Sequence, residues 1–311
     1  MKILSRKFAW FAVALAIGVG SASLLAQGQW GSGPIKVAII TKGHNFDRDG
    51  FYNFWDSLGQ DITWTILQHP AALEFFDPAI ADTFDVYAFY DAPGRTATPG
   101  PDGKPTYEQP NASAKKNLIP FLQKGKGLVF LHHAPAAWNH TWPEYSEMIG
   151  SACDWGNPVT FKGKTYPNSG AQGGVKQHIT VLNKTHPITQ GIGDGFDIVD
   201  ETYLCPVDEK AKGLIPLLRT DFEPIDKNFP GRYAGGWRYP EKGSQLAGWV
   251  RSAEKSPLVY LQNGHDAVAW KNPAFQTLVR NSIKWAASQE ARDWAAKNPT
   301  KVRKPSNSNS N

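Results

Sequence analysis

Gly127-Leu128-Val129-Phe130-Leu131 is a short apolar run that passes directly into His132-His133-Ala134. A run of this kind, without polar alternation, reads as a strand buried on both faces of a parallel sheet. Two further runs share the design. Lys36-Val37-Ala38-Ile39-Ile40-Thr41 ends in Lys42-Gly43-His44-Asn45, and Leu258-Val259-Tyr260-Leu261-Gln262-Asn263 ends in Gly264-His265-Asp266. In an open α/β sheet, ligands bind in the crevice beyond the carboxyl ends of the strands. Four of the chain's eight histidines, His44, His132, His133 and His265, stand at exits on that edge.

The segments between these runs supply the rest of the pattern. Phe51, Phe54, Trp55 and Leu58 recur at helical spacing, and Ile62-Thr63-Trp64-Thr65-Ile66-Leu67 alternates as a strand. Phe84-Asp85-Val86-Tyr87-Ala88-Phe89-Tyr90 is a third strand, ending at Asp91 before a Pro/Gly loop. Ser113–Lys124 reads as an amphipathic helix stopped by Gly125. This β-α-β-α-β order predicts an α/β fold with a doubly wound parallel sheet. Residues from about 150 to 250 are dense in Gly, Pro, Trp and Tyr, with short strand-like runs, and read as β-rich insertions over the strand ends. Pro273–Ala287 is a closing helix with Phe275, Leu278, Val279, Ile283 and Trp285 on its buried side.

The ends of the chain differ from its body. Residues 1–26 have a basic start (Lys2, Arg6, Lys7), an apolar stretch from Phe8 to Val19, and a small residue before Gln27, the make-up of an export signal. The apolar stretch is short for a membrane span, so an exported protein, periplasmic or secreted, without stable membrane insertion after cleavage is expected. Residues 27–290 form the expected domain, and residues 291–311 a polar, basic tail expected to be disordered. The net charge of +5 comes from these ends. The body between them holds slightly more acids than bases, which leaves no basic footprint for nucleic acid. Export would permit a disulfide between Cys153 and Cys205, although a buried thiol fits the apolar run around Cys205 as well.

Several stretches, in this order, resemble the trehalose-utilisation (ThuA-like) family. They are Thr41-Lys42-Gly43-His44-Asn45, Gly125 through Ala134, Trp142-Pro143-Glu144-Tyr145-Ser146-Glu147-Met148-Ile149-Gly150, and Thr185-His186-Pro187-Ile188-Thr189-Gln190-Gly191. Asp200-Glu201-Thr202-Tyr203, Gly264-His265-Asp266 and Asn272-Pro273-Ala274-Phe275-Gln276 complete the set. The resemblance spans about residues 35–287 and implies a flavodoxin-like sheet similar to that of class I glutamine amidotransferases. Those enzymes carry a cysteine on the sharp turn after a central strand. Here that turn reads Leu131-His132-His133-Ala134, which argues against amidotransfer from glutamine.

The candidate catalytic residues are His133, His265, Glu201 and His44. The family motif pairs Glu201 with Tyr203. Candidate substrate-binding residues are Trp138, Trp237, Asp91, Tyr203 and His132, the tryptophans as flat platforms for sugar rings. His132 could equally point away, because neighbouring strand residues face opposite sides. His133, His265 and Glu201 could hold a divalent metal such as zinc, and a metal-free acid–base site fits equally well. The resemblance implies a small carbohydrate as partner, with 3-keto glycosides as substrates of a hydrolase or lyase, and the chain could form a homo-oligomer. The alternative is a non-catalytic carbohydrate-binding protein that uses the same cleft.

Overall fold

Buried apolar runs set the order of elements along the chain. A computed structural model describes residues 34–167, 169–230 and 242–303. Strand β1 (Ile35–Lys42) leads to helix α1 (Arg48–Asp56), β2 (Ile62–Gln68) and β3 (Val86–Asp91). A small hairpin of β4 (Ala97–Pro99) and β5 (Pro105–Tyr107) precedes α2 (Ala112–Gln123), β6 (Gly127–Leu131) and α3 (Pro143–Ile149). A second small hairpin, β7 (Val159–Phe161) and β8 (Lys164–Tyr166), opens onto the long strands β9 (Gly170–Val181) and β10 (Gly195–Leu204). Then follow β11 (Ile215–Thr220), β12 (Leu246–Ala253), β13 (Ser256–Leu261), α4 (Ala267–Trp270), α5 (Pro273–Ala287) and α6 (Gln289–Lys297).

Nine strands form one sheet in the order β10-β9-β11-β12-β13-β6-β3-β1-β2. From β13 to β2 every pairing is parallel, and the order β2-β1-β3-β6-β13 is the flavodoxin-like one. β3 and β6 are buried along their whole length, in keeping with their apolar composition. Apolar clusters pack on both faces. One combines α1, α4, α5 and α6 with Val37, Ile39, Val129 and Leu131; the other combines α2 and α3 with Ile40, Phe89, Leu128 and Phe130. Helix α5 begins where the sequence places it, with Asn272 accepting from the N–H groups of Ala274 and Phe275 ahead of Pro273.

Two expectations are corrected. The stretch from about 150 to 250 does not simply lie over the strand ends. Its main strands join the free edge of β13 and extend the same sheet with antiparallel pairings. The tail expected from residue 291 is ordered through residue 303. Ser288 caps α6, Ala291 and Ala295 are buried, and Glu254 takes the backbone N–H of Val302 and the Lys301 ammonium. The export signal, and the tail from residue 304, lie outside the described residues. No helix among the described residues is long and apolar enough to cross a membrane.

Candidate active site

The parallel half of the sheet delivers four histidines to its carboxyl edge. β1, β3, β6 and β13 are neighbours, so the exits of β1, β6 and β13 open side by side. His132 has a left-handed backbone (φ 53), which makes the turn after β6 abrupt and aims its ring toward β13. Gly43 (φ 84) lets the chain pass close beside β3, since a Cβ there would sit 2.2 Å from the Ala92 carbonyl oxygen. The turn carrying His265 is fixed from three directions. Asp200 accepts from the N–H groups of Gly264 (2.7 Å) and His265 (3.1 Å), while Tyr90 Oη and Trp270 Nε1 donate to the Gly264 carbonyl.

The carboxylate arrives from the antiparallel arm. β10 is four places from β13 in the sheet, yet its Asp200 bonds directly to the β13 exit, so the arm coils back over the edge. The pairing of β10 with β9 breaks register between Asp200 and Thr202, leaving Glu201 at an irregularity. Such a bulge re-aims side chains. Glu201 and Tyr203 then share one side, facing the histidines, while Asp200 and Thr202 serve the β13 exit, Thr202 through Gln262.

The central contacts are short. His132 Nε2 lies 3.0 Å from His265 Nδ1 and 3.2 Å from Glu201 Oε2, and His265 Nδ1 lies 3.4 Å from the same oxygen. Tyr203 Oη is 2.8 Å from both His132 Nε2 and Glu201 Oε2. His132 Nδ1 meets the Gln262 carbonyl at 3.0 Å. A carbonyl only accepts, so Nδ1 carries the proton there. His44 packs on His133 with ring centroids 4.3 Å apart, and its centroid is 5.4 Å from that of His265. Both nitrogens of His133 and Nδ1 of His44 have no hydrogen-bond partner among the described residues.

The charges follow from these surroundings. Burial, with His132 and His265 nearby, lowers His44 to a pKa of about 4, and burial holds His133 well below the ordinary imidazole value. Both are neutral at pH 7. Burial opposes ionisation of Glu201, but the hydrogen bonds from His132 and His265 outweigh it and hold the carboxyl well below its usual range. The hydrogen bond to Glu201 raises His265. Burial raises Asp200, against the three backbone N–H groups that favour its charged form.

Not every expected site residue reaches this cluster. His133 is not in the ligand-spaced trio; His132 takes its place beside Glu201 and His265, because the left-handed turn ends the strand alternation. Trp138 is fully buried in the core beneath the sheet and is no sugar platform. Asp91 is also fully buried, its carboxylate held by His69 (2.7 Å) and by Tyr145, on the opposite face from Tyr90 and the histidines. Trp237 lies outside the described residues. Cys153 and Cys205 are free, buried thiols in one small cluster with Tyr203 and Trp155. Arg95 is a residue without a sequence signal of its own. Its guanidinium lies 5.1 Å from the Trp155 ring centroid, Trp155 packs on Tyr203, and its charge is felt at His44 and His133. A cavity of about 620 Å³ lined by Glu147, Arg251 and Lys301 includes none of the histidines.

Comparison with known proteins agrees with this frame. The ThuA family model, described as trehalose utilisation, matches residues 101–286. The fold is similar to that of a ThuA-like protein from Parabacteroides merdae, with 16% identity, a TM-score of 0.58, and 82% of this chain and 90% of that one covered. A ThuA-like protein from Bacteroides uniformis is 17% identical with a TM-score of 0.55, over 83% of this chain and 94% of that one. A cytoplasmic protein from Salmonella typhimurium is 10% identical with a TM-score of 0.51, over 81% and 99% of the two chains. No curated protein matches the chain.

Proposed function

The chain belongs to the ThuA family of trehalose utilisation, and from that premise we propose that it is an exported enzyme that cleaves or converts a 3-keto glycoside. The observation that carries this reading is the meeting of four imidazoles and one ionised carboxylate at a single sheet edge. A ketone at C3 of a sugar acidifies the proton on C2. In this reading His44, neutral and partly exposed, accepts that proton, with buried His133 packed behind it. Electrons from the C2–H bond move to the C3 oxygen, giving an enolate. His265, raised by Glu201, can donate a hydrogen bond to that oxygen, a preorganised electrostatic stabilisation. Return of the electrons from the enolate forms the C1–C2 double bond and expels the C1 substituent, which takes up a proton as it leaves. Addition of water across that double bond would complete a net hydrolysis.

Two readouts test the sequence of steps. Incubation with 3-keto-trehalose and a panel of 3-keto glucosides should release glucose or the aglycone. In D2O, deuterium should enter at C2 even of a substrate whose C1 group leaves poorly. Absence of both release and exchange across the panel would rule the reading out.

A further inference from the structure

We infer that His132 Nε2, Glu201 Oε2 and His265 Nδ1 bind one divalent transition-metal ion of the zinc type. The three atoms form a triangle with sides of 3.0, 3.2 and 3.4 Å. A point about 1 Å out of its plane lies about 2.1 Å from every corner, within the usual range of zinc–nitrogen and zinc–carboxylate distances. The angles subtended there run from about 90° to about 110°, between an octahedral face and a tetrahedron, as suits two histidines and one carboxylate with positions left open.

The orientation of the His132 ring agrees with this geometry. The Gln262 carbonyl fixes the proton of His132 on Nδ1, so in the neutral ring Nε2 presents a lone pair to the centre of the triangle. The ionised Glu201 oxygen presents another at 3.2 Å. These two lone pairs and His265 Nδ1 converge on one point, where they are met either by the protons of Tyr203 Oη and His265 Nδ1 or by a single cation. A carbonyl that orients a ligating histidine through its other nitrogen is the usual outer support of a metal site. The supports are present on every side. Asp200 clamps the His265 backbone, Tyr203 Oη bonds Glu201, and the turns beneath are buried. His265 and Glu201 retain partial side-chain exposure, which gives an ion and a further ligand an approach.

The ion would supply Lewis-acid polarisation of a substrate oxygen. It would then carry the positive charge that the acid–base reading assigns to a proton on His265. The inference uses the same cluster as that reading and is tested without substrate, so the two can fail separately.

The full-length protein, stripped with a chelator and dialysed, should take up Zn(II) at one equivalent per chain, read by elemental analysis and by titration against a competing chelator. Co(II) in its place should give visible ligand-field bands. Glu201→Gln and His265→Ala should each weaken binding by more than the roughly 10- to 100-fold typical of losing an outer support. His178→Ala, a half-exposed histidine paired with Asp197 on β9 and β10, should bind as the native protein does. Circular dichroism separates lost binding from lost folding. Because the native protein alone decides stoichiometry, a variant that fails to fold does not rescue the idea. No stoichiometric uptake by the native chain, or uptake unchanged in both ligand variants, overturns it.

Discussion

The two halves of the sheet contribute to the site in different ways. In the parallel half, each buried strand ends at the same edge by topology, so a histidine placed at a strand exit reaches the cleft with no further device. In the antiparallel arm, topology alone would leave Glu201 far from that edge. It arrives because the arm coils back, because register breaks between Asp200 and Thr202, and because Asp200 ties β10 to the β13 exit. One half positions by strand order, the other by specific contacts. Residues of the first kind can be read from a sequence, and those of the second depend on tertiary structure.

The largest expected effect tests whether the halves act as one site. His44→Ala removes the proposed base from the parallel half and Glu201→Gln the antiparallel-arm carboxylate that raises His265, and each should lower turnover of a 3-keto glycoside by roughly 100- to 10,000-fold, the range of a lost acid–base group. Groups that act as a unit are strongly non-additive, so the double variant should be little worse than either single one. Ligand affinity, measured by calorimetry, should change much less. Comparable losses in affinity and no turnover in the native protein would instead favour a carbohydrate-binding protein.

Asp200→Asn attacks the tie itself. The carboxylate accepts three backbone N–H groups, from Glu201, Gly264 and His265. An amide would turn its NH2 toward at least one of those donors. Leaving buried donors unpaired costs about 1–3 kcal/mol, to be read as a lower urea midpoint. Because His265 is displaced with its turn, turnover should fall as well, by up to about 100-fold. A stable variant with full turnover would show that β10 is held by other contacts.

Trp138→Phe separates core from cleft. The side chain has no exposure and packs with Trp142, Phe76 and their neighbours beneath the sheet. Its removal should cost about 1–3 kcal/mol of stability through the cavity left behind, and KM should not move. A raised KM at unchanged stability would restore the sugar-platform role.

Particular residues show where sequence reading stopped. Helix α5 was legible because Asn272, Pro273 and the stripe from Phe275 to Trp285 all agree. The histidine edge was legible because three apolar runs end at definite residues. Choosing between His132 and His133 was not, since the choice rests on one left-handed φ that neither residue type announces. Trp138 also has positive φ (60) and turns into the core, away from the sugar-platform role expected of it. Asp91 was misassigned because its partners, His69 and Tyr145, are 22 and 54 residues away. Helix α6 was hidden by its polar composition, with Ala291 and Ala295 as its main buried positions.

The smallest effect concerns the seam between the halves. His186, on the connection that follows β9, packs on Trp285 of α5 with ring centroids 5.0 Å apart, and its Nδ1 accepts from the Ile188 N–H. Burial lowers its pKa to about 4, against an ordinary value of 6.5. The folded ring is neutral where the unfolded one takes a proton, so between those limits the unfolded chain binds more protons and stability rises with pH. The contribution is fully present above about 6.5 and is lost as pH falls toward 4. His44 and His133 shift in the same direction, so the native protein should lose stability on acidification from several sites at once. His186→Asn keeps a side-chain acceptor for the Ile188 N–H and removes one titrating group. Its urea midpoint should therefore fall less between pH 7 and pH 4.5 than that of the native chain, even where its midpoint at pH 7 is the lower of the two. Equal falls in both proteins would mean that the seam opens before His186 is protonated, and that the antiparallel arm loosens from α5 as an independent unit.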